Sequence, residues 1–207
     1  FEENAIIFET DHFSTYMVME YNKTFTDIQN HWAKEVIEVL AARHITGGIT
    51  ENLFAPDQLV TRGQMVTFIG RALGINPNKE YQNPFSDLKE DAYYYGYALA
   101  LRDAEIVGGY SDGTFRPDEA INREQMFTMI MAAYKYLTQI NLNDISGYEE
   151  ADFADMDKVS SWARESIKAG RALDIVGGVG DNKVDPKGKA TRAAVAKMIV
   201  KLVELTN

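Results

Sequence analysis

The sequence contains no cysteine, which excludes disulfide bonds, thiolate nucleophiles and zinc sites built on thiolates. It also lacks an apolar stretch of about 18 residues, the length that suggests a membrane-spanning helix. No basic segment followed by an apolar one opens the chain, as a signal peptide would. We therefore expect no membrane insertion. Because Phe1 is not an initiator methionine, we interpret the chain as a mature piece of a longer protein.

Basic residues are scarce. The 207 residues include 21 Lys and Arg against 31 Asp and Glu, which gives a net charge of −10 at pH 7. Nucleic acids and anionic bilayers attract broad basic surfaces, so neither is expected as the main partner. An anionic ligand would have to be bound by a few local cations.

One pattern is written three times along the chain. Corresponding positions are 61 residues apart between the first two copies and 69 between the last two. A fixed period indicates a repeat architecture, and units of about 60 residues are expected to pack jointly because they are near the size limit for independent folding. The markers are Trp32, Tyr93 and Trp162; the pairs Gly47-Gly48, Gly108-Gly109 and Gly177-Gly178; Pro56, Pro117 and Pro186; and Arg62, Arg123 and Arg192.

Each copy predicts two helices joined by a loop. An aromatic-x-Asp opening precedes a first helix over about 31–43, 91–103 and 160–172. In the first copy the apolar face of that helix is predicted from Trp32, Val36, Val39 and Leu40. The glycine pair follows where a left-handed or sharply turning backbone is expected. A second helix with a buried aliphatic face then begins at Thr61, Asn122 or Thr191.

The arginine after each of these caps lies against the positive end of the helix dipole, at a cost of a few tenths of a kcal/mol. Thr61 with Gln64, and Asn122 with Gln125, predict capping boxes that need no arginine. One hypothesis is an anion site, in which the guanidinium adds a bidentate fork to free helix amides. The alternative is structural: each arginine pairs with the aspartate of its own repeat (Asp27, Asp87 or Asp155).

The aromatic residue of each copy also has two interpretations, since Trp or Tyr can stack on a sugar ring or simply pack. Catalysis has little support, because no Ser/His/Asp arrangement and no metal-ligand spacing is present. We therefore predict no enzyme, no metal site and no cofactor. A calcium site near Asp144, Glu149, Glu150 and Asp152 is the alternative to a solvated linker over 138–152. A second polar join lies at 74–84.

These motifs resemble the S-layer homology family, whose tandem modules carry aromatic-x-Asp, Trp, Gly-Gly, Phe-x-Pro and a Thr-Arg-Ala-Glu-like tetrad. The resemblance covers about 25–205. It implies a mainly α fold in which three modules form a pseudo-threefold spindle with a central helix bundle. The expected divisions are 1–24, a remnant of a preceding β domain, and modules at 25–75, 84–138 and 152–207.

The resemblance further implies a monomeric, extracellular module that anchors a surface protein to a Gram-positive-type cell wall. Its expected ligand is a secondary cell-wall polysaccharide, often ending in pyruvylated N-acetylmannosamine. Docking to other S-layer or surface proteins is the alternative. Carried over by position, the binding residues are the three arginines, the three aspartates, the three aromatics, Gln64, Gln125 and the six paired glycines. Because Ala194 replaces the capping partner in the third tetrad, we rank Arg62 strongest and Arg192 weakest for binding.

Overall fold

A computed structural model describes residues 22–149 and 152–206, which form a mainly α fold, as predicted. The α-helices in these ranges are α1 (Lys34–Ala42), α2 (Arg62–Ala72), α3 (Tyr95–Asp103), α4 (Arg123–Thr138), α5 (Arg164–Ala172) and α6 (Arg192–Thr206). Short 3-10 turns lie at Thr26–Ile28, Leu142–Asp144, Met156–Lys158 and Ser161–Ala163. The strands predicted within 5–10 and 14–21 fall outside the described residues.

The first helix of each module begins later than predicted, and this shift changes its buried face. In the first module the chain turns at His31, whose ring Nδ1 accepts a hydrogen bond from the Ala33 amide, and α1 starts only at Lys34. The core side of α1 is formed by Ile37 and Leu40, both fully buried, whereas Trp32 is 65% exposed. The predicted face that included Trp32 and Val39 is therefore wrong.

The second helices begin at the predicted caps. Thr61 accepts from the Gln64 amide and Gln64 accepts in return from the Thr61 amide, and Asn122 and Gln125 repeat this capping box. In the third module the Thr191 hydroxyl accepts from the Ala194 amide alone. The caps satisfy helix amides locally, which is why a short motif predicts them. The aliphatic faces of these helices are buried, as expected.

The modules contact one another in cyclic order. The second helix of each module packs against the first helix of the next: α2 on α3, α4 on α5, and α6 back on α1. The helices α2, α4 and α6 also contact each other pairwise. The pseudo-threefold spindle itself stays a prediction, which this cyclic order supports.

A ring of three backbone hydrogen bonds closes the same cycle. The residue before each cap donates to its counterpart in another module: Val60 to Ala190, Ala190 to Ile121, and Ile121 to Val60, with N···O distances of 2.9, 3.1 and 3.0 Å. All three side chains are fully buried. Because buried backbone groups need partners, this ring ties each module to both of the others.

The join over 138–152 is not a solvated linker throughout. Leu142 and Ile145 are buried in the shared core, and the 3-10 turn at Leu142–Asp144 packs against α5. Apolar side chains in this stretch fasten it to the third module. Among the described helices, none combines the length and apolar character that a membrane span requires.

Candidate functional site

Each opening aspartate holds the loop of its own module. The two carboxylate oxygens of Asp87 accept from the backbone amides of Phe115 and Arg116, both at 2.7 Å. Asp27 does the same at Phe54 and Ala55, and Asp155 at Val184 and Asp185. The second residue of each pair has positive φ, 56° at Arg116, a conformation that costs energy for a residue with a side chain. The aspartate stabilises that turn by bonding both amides.

Each tetrad arginine reaches into a different module. Arg62 donates from Nε to the carbonyl of Phe115 at 2.9 Å and from Nη2 to that of Gly108 at 2.8 Å. Arg123 donates in the same way to Val184 and Gly177, at 2.8 and 3.0 Å. The structural alternative, in which each arginine pairs with the aspartate of its own repeat, is therefore wrong. Arginine and aspartate instead bond to the same residue: the Phe115 amide donates to Asp87, and the Phe115 carbonyl accepts from Arg62.

Arg192 completes the cycle with fewer bonds. Its Nε donates to the Phe54 carbonyl of the first module at 2.7 Å. Its guanidinium lies 4.5 Å from the centroid of the Phe54 ring and 5.4 Å from that of Phe68. Burial lowers the pKa of all three arginines, and the side chains of Arg62 and Arg192 are almost fully buried. An arginine remains charged despite such a shift, so aromatic faces and carbonyl dipoles provide its solvation.

The amides at the start of the second helix in each module are not free to bind an anion, contrary to the anion-site hypothesis. The amides of Arg62 and Gly63 donate to the carbonyls of Glu119 and Pro117 in the second module, at 3.0 and 2.8 Å. The equivalent amides of α4 and α6 donate to the third and first modules. Any ligand must therefore use side chains and loop backbone, because the helix starts are consumed by contacts between modules.

The two glycines of each pair have different roles. A Cβ at Gly109 would lie 2.2 Å from the ring of Phe85, whereas a Cβ at Gly108 would meet nothing within 4 Å. The same contrast separates Gly48 from Gly47 and Gly178 from Gly177. Only Gly48 of the six has positive φ, so of the two expected conformations, left-handed or sharply turning, the left-handed one applies to Gly48 alone. Close approach to the opening aromatic requires the second glycine in the first two modules, and close approach to the Lys183 carbonyl requires it in the third.

The three marker aromatics are exposed. Trp32, Tyr93 and Trp162 are 65%, 60% and 54% exposed, so packing does not explain them. The neighbouring Tyr94 is buried and covers Gly63, where a Cβ would lie 2.5 Å from its ring. That contact explains why glycine replaces alanine in the first tetrad.

Two grooves each collect residues from all three modules. Groove 1, about 350 Å³, is lined by Gly48, Gln64 and Arg71 of the first module, Tyr93 of the second and Arg192 of the third. Groove 2, about 610 Å³, is lined by the Gly108-Gly109 loop, Tyr110 and Gln125 of the second module, Trp162 of the third and Arg62 of the first. The aspartates lie outside both grooves, as do Trp32, Arg123, Gly47, Gly177 and Gly178.

Sequence reasoning missed Arg71 and Tyr110. Each lies in a groove but has no counterpart of its own type in the other modules, so a search for recurring residues passes over it. It also missed a contact between modules at Glu124, a buried carboxylate that accepts from the Ser160 amide and hydroxyl, each at 3.0 Å, and pairs with Lys187. In the described ranges no set of three His, Asp or Glu side chains could hold a metal ion, and Glu150 of the calcium alternative lies outside them.

The fold and grooves define a three-module helical repeat protein closed into a cycle. Matches to the S-layer homology domain cover residues 24–66, 84–127 and 152–196. The chain therefore belongs to the S-layer homology family, whose modules anchor proteins to the cell wall at the bacterial surface.

The relatives include enzymes and S-layer proteins. An amylopullulanase from Thermoanaerobacterium thermosulfurigenes is 41% identical over 97% of this chain, which spans 10% of that enzyme. An exoglucanase from Acetivibrio thermocellus is 37% identical over 92% of the chain, with 17% of the enzyme covered. The S-layer protein sap of Bacillus anthracis is 28% identical over 86%, with 21% covered. Because the chain spans so small a part of these proteins, the similarity carries no catalytic function to it.

Proposed function

We propose that this chain, as a monomer, anchors a surface protein non-covalently by binding a secondary cell-wall polysaccharide in the grooves between its modules. The observation that carries the proposal is the composition of each groove. An exposed aromatic ring, a buried guanidinium and a glycine loop come together from three different modules. No single module supplies all three, so binding and assembly of the modules are coupled.

The exposed aromatics supply a surface suited to sugars. Tyr93 and Trp162 project more than half of their surface into solvent at the edges of grooves 1 and 2. A large aromatic left exposed at a concave polar site is typical of a ligand-binding surface. The CH face of a pyranose ring can cover such an aromatic, while polar groups of the groove bond to its hydroxyls.

The arginines favour a carboxylate on that sugar. The protein has a net charge of −10, so its overall field repels anions and only local cations can bind one. A guanidinium presents paired donors that match a carboxylate. A pyruvyl ketal on N-acetylmannosamine provides one carboxylate on a sugar ring, which is the ligand these grooves suit.

The test is co-sedimentation with purified wall polysaccharide that contains no protein, before and after removal of its pyruvyl groups. Binding to the native polysaccharide, weakened more than tenfold (about 1.4 kcal/mol) by depyruvylation, supports the proposal. Affinity that depyruvylation leaves unchanged argues against carboxylate recognition. Failure to bind protein-free polysaccharide argues instead for docking to another surface protein.

A variant pair separates the grooves from the rest of the surface. Tyr93→Ala should weaken polysaccharide binding, because Tyr93 lines groove 1. Tyr136→Ala is the matched control, since Tyr136 is 43% exposed but lines neither groove. Equal losses for both variants would count against the grooves as the binding surface.

A further inference from the structure

The two grooves differ in how many of their donors are already engaged by the protein. We propose that groove 1 is the principal carboxylate-binding groove, and that the residue at position 49 or 110 decides whether a groove accepts a carboxylate. In groove 1 Ile49 has no acceptor for the side-chain amide of Gln64, whereas in groove 2 the Tyr110 hydroxyl accepts from the side-chain amide of Gln125. This inference rests on the proposed function and deepens it.

Arg192 has more unengaged donors than Arg62. Its side chain is almost fully buried and lines groove 1. Its Nε donates to the Phe54 carbonyl, and no described residue accepts a hydrogen bond from its two terminal nitrogens. In Arg62 one terminal nitrogen is bonded to Gly108. A bidentate fork uses two nitrogens at once. The terminal nitrogens of Arg192 keep contact with solvent, since no buried side-chain nitrogen of the described residues lacks a partner, so a ligand can reach both.

The capping glutamines show the same contrast. Gln125 closes its capping box through Oε1 and gives its amide Nε2 to the hydroxyl of Tyr110 at 3.2 Å. Gln64 closes the equivalent box through Oε1, but the counterpart of Tyr110 in its module is Ile49, which has no acceptor. Within the described residues nothing accepts from Gln64 Nε2, and Gln64 lines groove 1. Groove 1 thus offers a neutral donor beside the open guanidinium.

A second cation adds to groove 1. Arg71 lines it, while the equivalent position in the second module is Ala132. Burial raises the pKa of the Tyr93 hydroxyl; the charge of Arg192 opposes that rise, Asp118 adds to it, and Arg71 opposes it more weakly. Arg71, Arg192 and Tyr93 line the same groove, so both guanidiniums lie beside the space where a sugar carboxylate would bind.

This assignment reverses the order of affinities expected from the sequence. The lost capping partner at Ala194 was expected to make Arg192 the weakest. The structure shows that the arginine of one module serves the groove of the next, so the loop that surrounds Arg192 belongs to the first module. Contacts between modules set the donors that remain open.

The test is calorimetric titration of the whole chain with a pyruvylated N-acetylmannosamine monosaccharide. We expect one strong site in the unmodified protein. Ile49→Tyr should weaken it at least tenfold. Tyr110→Ile releases only the Gln125 amide, because Arg62 Nη2 stays bonded to Gly108, so it should add a second, weaker site. Leu53→Tyr is the control, because it adds a tyrosine in the same loop at an exposed position that lines neither groove.

Gln64→Glu provides an independent variant that keeps a capping box, since glutamate also serves at this helix position. It removes the amide donors and adds a negative charge, so binding should fall at least tenfold while the melting temperature stays near that of the parent. Retained affinity in both Ile49→Tyr and Gln64→Glu would overturn the inference.

Fluorescence identifies the occupied groove. In a Trp32→Phe background Trp162 is the single tryptophan and lies in groove 2. The sugar should leave its emission unchanged, but should alter it once Tyr110→Ile is added. An altered emission without that change would overturn the assignment to groove 1. Absence of sugar binding by the unmodified chain would instead remove the proposed carboxylate recognition itself.

Discussion

Replacing Arg62 by methionine tests whether the tetrad arginines hold the modules together. The change keeps an apolar stem of similar length but removes the donors to the Phe115 and Gly108 carbonyls. Hydrogen bonds from a charged group contribute about 1.5–3 kcal/mol each. Relief of the buried guanidinium and better packing of methionine offset part of this loss. We expect the free energy of unfolding to fall by about 3 kcal/mol, with the value set by those two bonds.

Arg192→Met is the internal comparison. Arg192 is as buried as Arg62 and also lies over aromatic rings, but it makes one side-chain hydrogen bond instead of two. Its loss should be about half as large, roughly 1.5 kcal/mol. For a chain of this size, about 1 kcal/mol corresponds to roughly 2–4 °C in melting temperature. Thermal and urea unfolding followed by circular dichroism would resolve the two variants.

Arg43→Met, at an exposed position after α1, controls for the loss of a positive charge. It should change stability by less than about 0.5 kcal/mol. Two results would refute this prediction. Arg62→Met could lower the free energy of unfolding no more than Arg43→Met does, or Arg192→Met could lower it as much as Arg62→Met or more. Either would mean that the bonds between modules contribute little to stability.

Three further changes test other parts of the structure. Ala194→Gln should stabilise the protein by about 0.5 kcal/mol in urea unfolding, because it restores the reciprocal cap of α6. Gly109→Ala should cost about 1–3 kcal/mol through its clash with the Phe85 ring, whereas Gly108→Ala, which faces open space, should leave the melting temperature nearly unchanged. Burial alone would raise the pKa of Asp155, but its two amide bonds outweigh burial and lower it below 3.8. This contribution to stability is therefore present above that pH and is lost as the pH falls through the folded-state pKa. Asp155→Asn should flatten that part of an acid-unfolding curve, and an unchanged curve would show that the amide bonds do not stabilise the charged carboxylate.

Features encoded within a few residues were predicted well. The Thr61–Gln64 and Asn122–Gln125 boxes, the start of each second helix and its buried aliphatic face all follow from local spacing. These depend on backbone geometry that a short segment determines by itself. The helix that follows Trp32 was predicted less well, because a turn at His31 displaces its start and with it the buried face.

Contacts between residues of different modules could not be predicted from the sequence. The Arg62 side chain bonds to residues 46 and 53 positions away, and nothing near Arg62 in the sequence indicates them. Asp27, the alternative partner within the same repeat, instead accepts hydrogen bonds from the amides of Phe54 and Ala55. The repeat shows which positions are equivalent, but it does not show that the arginine of each module bonds to the loop of another module.

The cyclic closure has a consequence for the order in which the chain can fold. The loop around Phe54 is synthesised before the second and third modules, yet the guanidinium that bonds to its carbonyl belongs to Arg192, 138 residues later. Ala190, which accepts from the Val60 amide, is equally late. Long-range closure is slow, because its entropy is lost before its contacts form. The first module should thus lack its contacts with the third module until that module has been synthesised. Docking of α6 is therefore expected to complete the folding of all three modules.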